Sequence, residues 1–306
     1  MAVNDRKDLR QRIGGVGFCG DMITSTASAI GGAAGASLID TKLQQQNSYW
    51  NGAQIAITSG ASLGDYRWVT NWVQSTGTFT PDRVFTAQIA AAVTYEIHKV
   101  FSGEDINAAI NQAILESKFR WAKPVVDQTI VMVANQYTYN LSGLTAPIDS
   151  TLGIDEIYYD TGAAGTGYPW ALLEDDFWEL RWSGDTPTLQ LNQYPPYPTK
   201  YFRLIYNVRP AVLTSDSSVL SPNDEALAMY VCTRSAAILF GQRAILEREE
   251  SAKAHWALKE QEFSGRANGF ITQDRPAPQP GKVRYGTWGT AGGERGYYPP
   301  GRIHIG

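Results

Sequence analysis

Cysteine is nearly missing from this 306-residue chain: only Cys19 and Cys232 occur, far apart. Two such residues support neither a disulfide framework nor a Cys-based metal site, and they fit a reducing, cytosolic origin. Histidine is as scarce, with His98, His255 and His304 alone. None has H-x-x-x-H spacing, so no zinc helix is expected. Charged residues make up 18% and the net charge is −4, which argues against a generally basic nucleic-acid binder. No apolar run approaches a membrane span, and the polar start "MAVNDRKDLRQRIGGVG" lacks the apolar region of a secretory signal. The chain therefore reads as soluble, alone or within an assembly.

Motifs for phosphate and nucleophile chemistry are equally sparse. There is no Walker A sequence, and no nucleophile elbow is recognised. Gly15, Gly17 and Gly20 match G-x-G-x-x-G, but a charged, helix-like segment precedes them and a Ser/Thr/Ala-rich run follows. A dinucleotide fold needs a strand before and a helix after, so a Gly-rich connector is the better reading. "EDDFWELRW" (174–182) sets Glu174, Asp175 and Asp176 beside aromatic residues, the ingredients of a glycosidase or sugar-binding face. Three consecutive acids at a strand start, whose neighbours point to opposite faces, fit a loop better. No catalytic, cofactor-binding or metal-binding residue is assigned, and the chain is read as a non-enzyme.

Hydrophobic residues at 43% and aromatics at 11% supply material for large cores. Residues 4–13 suggest a short polar helix. "AQIAIT" (53–58), "DYRWVTNWV" (65–73), "GTFTP" and "TYEIHKV" (94–100) alternate between turn residues and predict an antiparallel β module over 1–102. Ile106, Ala109, Ile110, Ala113 and Ile114 recur at helical spacing, so a helix is expected over 103–122, with Ser102 and Asp105 as a capping box. Seven strand-like pieces, "QTIVMVA", "QYTYNLS", "IDEIYYD", "YPWALLE", "FWELRWS", "PTLQLNQ" and "YFRLIYNV", predict a β domain at about 123–212. Helix returns over 222–264. Ser221 is its expected cap and Pro222 its first residue, and Gly265 and Gly269 should stop it. A break is expected near Gly241 or in "EREES" (247–251). Ile245, Ala252, Trp256 and Phe263 should form one stripe.

The last stretch changes character. Residues 270–306 hold eight Gly and five Pro, and five basic against two acidic residues give it +3, leaving −7 on the rest. Such a composition buries little on its own. It is read as an extended arm docking on a neighbouring chain through Arg284, Tyr285, Trp288, Arg295, Tyr297, Tyr298 and Arg302. The fold class is α+β: antiparallel β modules, a helical core over 103–269 carrying the inserted β domain, and the arm.

One stretch carries a resemblance. "SLIDTKLQQQNSYWNGAQIAITSGASLGDYRWVTNWVQSTGTFTPDRVF" is similar to a β module of tailed-bacteriophage structural proteins, through Leu38, Asp40, Trp50, Gly52, Ser59, Gly60, Gly64, Arg67, Thr78 and Phe79. "INAAINQAI" and the segment "FRLIYNVRPAVLTSDSSVLSPNDEALAMYVCTRSAAILFGQR" resemble parts of head-to-tail connection proteins. The resemblance implies a virion component, assembled in the bacterial cytoplasm. It would be an adaptor-type homo-oligomeric ring, such as a dodecamer, bound to the portal protein and other neck or tail proteins. Double-stranded DNA would pass its lumen without sequence-specific contacts. The alternative is a decoration or tail protein with a carbohydrate-binding β module. On the first reading Trp50, Trp68 and Trp72 are packing or interface rings rather than a sugar platform.

Overall fold

A computed structural model of the chain describes residues 4–15, 18–20, 22–117, 121–150, 152–161, 170–192, 199–222 and 224–272. The expected arm residues, Arg284 to Arg302, lie outside them. The fold is α+β, with four helices and antiparallel sheets among the described residues. Two compact units are present, one within Met1–Lys123 and Arg209–Pro278, the other formed by Pro124–Val208.

The first unit begins with α1 (Arg6–Gly14), started by Asp5, whose carboxylate accepts from Asp8 N at 2.7 Å. Six strands follow: β1 (Met22–Thr26), β2 (Leu38–Ile39), β3 (Gln54–Ile57), β4 (Tyr66–Val73), β5 (Thr78–Pro81) and β6 (Thr94–His98). Their order is β1-β6-β3-β4-β5-β2, with antiparallel pairing throughout. The sheet closes on itself. Ala29, just past β1, bridges Ile39 of β2, and Ser28 N donates to Ile39 O at 2.9 Å. Closure removes the open edges that would otherwise invite further strands.

Inside lie Leu38, Ile55, Trp72, Phe79, Tyr95 and Ile97, all at most 1% exposed. Trp72 and Phe79 meet with ring centroids 4.3 Å apart, and burial of each such ring stabilises by roughly 1.5–3 kcal/mol. Asp40, fully buried, latches the closure. It accepts from Ser25 of β1 at 2.5 Å, from the Tyr95 hydroxyl of β6 at 2.7 Å and from Lys42 N at 3.0 Å. Its own N–H donates to Gly77 O at 2.7 Å.

In the helical part α2 (Gly103–Ser117) and α3 (Glu225–Leu246) pack against α1, and α4 (Glu250–Thr272) packs against α3. Helix α2 starts as expected: Asp105 N donates to Ser102 Oγ at 2.9 Å and Ser102 Oγ to the Asp105 carboxylate at 2.6 Å. Its described residues run to Ser117, and Trp121 and Ala122 of the expected span lie outside the α-helix. Its Ile106, Ile110 and Ile114 meet Leu227 and Val231 of α3 in one apolar cluster. The start of α3 differs from expectation. Asp224, not Ser221, is the cap, accepting from Ala226 N and Leu227 N, so Pro222 precedes the helix.

The expected break falls in the charged segment, between Leu246 and Glu250, and Gly241 lies inside α3. That break resets the helical phase, and Ile245 leaves the expected stripe for 80% exposure. Gly265 and Gly269 do not stop α4, which runs to Thr272. Phe263 and Ala267 are buried against α3, with Phe270 and Ile271 beside them. That burial outweighs the roughly 1 kcal/mol that each helical glycine costs. Phe240 of α3 centres an aromatic group, stacking on Trp256 at 5.7 Å and meeting Phe263 at 5.4 Å and Phe101 at 5.8 Å.

The second unit has two sheets. One, in the order β10-β9-β13-β7, is built from β7 (Lys123–Asp127), β9 (Ile154–Asp160), β10 (Trp170–Leu172) and β13 (Phe202–Val208). The other, in the order β11-β12-β8, contains β8 (Thr138–Asn140), β11 (Trp178–Ser183) and β12 (Thr186–Leu191). Their inner faces share a core of Ile157, Phe202 and Leu204 from the first sheet and Tyr139, Leu180 and Leu189 from the second. Six of the seven expected pieces form strands. "QTIVMVA" does not, and makes only the bridge Val131–Tyr201 to its neighbour.

Gly77 tests the closure. Its φ is +61°, and a Cβ there would sit 2.6 Å from the Asp40 carbonyl. Gly77→Ala should cost about 3 kcal/mol, from left-handed strain plus overpacking. Gly52→Ala, at φ +79° with open space around it, should cost only about 1–2 kcal/mol. Urea unfolding of both variants measures the difference; equal losses would refute the latch.

Candidate functional site

The densest group of buried charge lies in the first unit and joins residues more than 200 positions apart. Leu9, Arg10 and Ile13 of α1 are all fully buried, so a guanidinium sits on the helix's apolar face. Arg10 Nε donates to Glu96 Oε2 at 2.6 Å, and its two terminal nitrogens donate to the two Asp216 oxygens at 2.8 Å each. The planar fork of arginine suits such bidentate pairing. Arg10 Nη1 also reaches Asn107 Oδ1 of α2 at 3.0 Å and the Tyr66 hydroxyl of β4 at 3.3 Å. Asn107 Nδ2 donates to the same hydroxyl at 2.8 Å. Gln11 donates to Glu96, and Arg6 to Asp216, completing the shell.

His98, two residues along β6 and therefore on the same face, sets Nε2 3.1 Å from Glu96 Oε2. An ionised carboxylate only accepts, so Nε2 carries the proton. Nδ1 is buried and has no hydrogen-bond partner among the described residues. Burial works to raise the Glu96 carboxyl, but the bonds from His98 and Arg10 hold it below its ordinary value of 4.5. Burial likewise opposes Asp216, and Arg10 with Arg6 holds it below 3.8. The Arg10 charge is reinforced by both carboxylates, against the burial that opposes it.

A Glu–His pair can shuttle protons where a substrate reaches it. Glu96 is fully buried and His98 is 1% exposed, so the pair is sealed from any substrate-sized molecule. What the arrangement does is mechanical: it fastens α1 to β4, β6, α2 and the loop at 216. Sequence reasoning missed Arg10 and Asp216. The available signal was a charged residue between Leu9 and Ile13 on the apolar face.

The other candidates separate. Around the G-x-G-x-x-G spacing, helix α1 comes first and strand β1 follows, the reverse of a dinucleotide turn. Gly60-Ala61-Ser62-Leu63-Gly64 does have the G-x-S-x-G spacing of a nucleophile elbow, which the sequence reading overlooked. Here it is the hairpin turn between β3 and β4, not a strand-to-helix elbow. Ser62 is 3% exposed, its hydroxyl donating to Ala87 O at 3.1 Å. Asp175 and Asp176 form a one-turn 3-10 helix leading into β11. On that strand Trp178 is buried and Glu179 pairs with Arg181 at 2.8 Å. Trp50 and Trp72 are core, whereas Trp68 is 44% exposed. His255 is exposed, edge-on to Trp256. Burial pushes the Cys232 thiol up to about 12, which leaves it inert. Among the described residues no group of three or more His, Cys, Asp or Glu is arranged to hold a metal ion, and no helix is long and apolar enough to cross a membrane.

Comparison of the sequence with protein-family models and with curated proteins finds no match.

Arg10→Met should lower stability by about 3–5 kcal/mol, because buried Glu96 loses its arginine and Asp216 keeps only Arg6. Arg10→Met with Glu96→Gln should recover part of that loss, and urea denaturation of the double-mutant cycle reads the coupling. The pH dependence follows from the depressed carboxyls. Between the folded and unfolded pKa values the unfolded chain binds more protons, so their contribution is complete above about pH 5.5 and is lost as pH falls through the folded values. Glu96→Gln should flatten the fall in stability below pH 4.5. An unchanged acid limb would show that Glu96 is not ionised in the fold.

Proposed function

We propose that this chain is a structural subunit of a tailed-phage virion that forms a ring in the head-to-tail connector, below the portal, through which double-stranded DNA passes. The observation carrying this reading is the role of the residues behind the resemblance. Leu38, Trp50 and Phe79 are barrel core, Asp40 is its latch, and Gly52, Gly60 and Gly64 take positive φ at turns. Ser59 Oγ accepts from Thr94 N, and Arg67 donates to Val84 O. The motif thus encodes a framework rather than an active site, as suits a module shared among structural proteins. The packed α2, α3 and α4 supply a rigid helical layer for ring contacts. A ring of like subunits closes by rotation through heterologous interfaces. The net −7 outside residues 270–306 suits a lumen that DNA must pass without sticking, since each Lys or Arg contact to phosphate adds affinity.

The reading assigns residues 273–306 to docking on the portal or a neighbouring subunit. Phe270 and Ile271 pack on the helical core, so the test truncates after Thr272. The truncated chain should unfold at the same urea concentration as the full chain yet fail to sediment with purified portal rings. Equal co-sedimentation would refute the arm's role. A full chain that neither forms rings nor associates with portal would refute the connector reading itself.

A further inference from the structure

An antiparallel sheet with one face on a core normally shows polar residues on the other. On the four-stranded sheet of the second unit that face mixes rings and aliphatic side chains with its charges. Register puts Tyr201, just before β13, Asp160 of β9 and Trp170 of β10 in one outward row. The next row is Arg203, Tyr158 and Leu172. The opposite face holds Phe202, Leu204 and Ile157 in the core. Tyr201 is 46% and Leu172 54% exposed, and Val131, bridged to Tyr201, is 39% exposed. Tryptophan, tyrosine and arginine are the residues that dominate protein interfaces, and here they adjoin on three strands.

The charges on this face suggest what covers it. The Arg203 guanidinium lies 6.0 Å from the Tyr158 ring centroid, and no carboxylate pairs with it among the described residues. Glu156 is exposed and accepts from the Tyr158 hydroxyl at 2.8 Å. Glu156 and Asp160 stand two residues either side of Tyr158, each about 6.7 Å along the strand. A two-fold axis parallel to the strands, between β9 and β13, lays each copy's Arg203 over the Tyr158 of the other, between its Glu156 and Asp160. The cation then meets a second ring and two carboxylates with which it makes no ion pair in its own chain, and the contact occurs twice. The aliphatic Leu172 and Val131 beside the rings fit a protein surface better than a sugar.

We propose that the outer face of this sheet is a two-fold contact between two copies of the chain, with Tyr158, Trp170 and Tyr201 as its centre and Arg203 against Glu156 and Asp160 as its charge pair. The contact is independent of portal binding.

Sedimentation velocity of the full chain across a concentration series tests it. Arg203→Glu alone, and Glu156→Arg with Asp160→Arg, should each weaken self-association at least tenfold, by setting like charges against each other. Mixing the two variants should restore it, because one charge pair is then re-formed with reversed sign and the other is the native pair. Unfolding curves matching the parent establish that the variants fold. If neither variant changes sedimentation, or the mixture stays dissociated, the contact is wrong, even where rings still form and the connector reading stands. A parent chain that stays monomeric while binding a glycan panel through Tyr201 and Trp170 would assign the face to a sugar and overturn the proposal.

Discussion

A single guanidinium holds the first unit together. Arg10 enters the interior on the apolar face of a nine-residue helix, and in that setting it needs fixed negative partners, since a lone buried cation costs several kcal/mol. Glu96 comes from a barrel strand and Asp216 from a loop more than 200 residues away. Neither carboxylate tolerates burial without the arginine, and the arginine does not tolerate it without them. The chain's two ends of the first unit are therefore joined by mutual electrostatic need, with Tyr66, Asn107 and Gln11 satisfying the remaining donors and acceptors. Such a joint adds directionality to an apolar core that would otherwise permit several packings.

Asp40 plays a corresponding part in the barrel. A short strand of two residues, β2, has little pairing of its own, and its position is fixed by one carboxylate taking bonds from two other strands. The same logic explains why Gly77 is needed opposite it: the close approach leaves no room for a side chain. Leu38 and Asp40 stand at this closure, while Trp50 and Phe79 are core and Gly52, Gly60 and Gly64 are turns. That framework role is why an assembly function is proposed.

Much of this was legible from residue patterns. Alternation located β3, β4, β5, β6 and most strands of the second unit, because a half-buried strand imposes a period of two. Helical spacing located α2 and α3, and Ser102 with Asp105 marked a true capping box. The failures have physical causes. Gly265 and Gly269 were read as stops, yet Phe263, Ala267, Phe270 and Ile271 bury enough surface to carry α4 through them. Ser221 lost the cap to Asp224, which satisfies two backbone N–H groups. Gly60 to Gly64 shows the spacing of a nucleophile elbow, but its meaning depends on whether a helix follows, and here a strand does.

What the amino-acid order determined alone is local: where the chain alternates, where it coils, where it turns, and that its chemistry-bearing residues are few and scattered. Those properties depend on neighbours within a few positions. The tertiary structure alone decided that Arg10 meets Glu96 and Asp216, that His98 is sealed rather than available, and that Tyr158, Trp170 and Tyr201 share an outward face. Each of these depends on strand register or on contacts across scores to hundreds of residues, and such pairings are set by the packing of the whole fold, which leaves no period in the sequence.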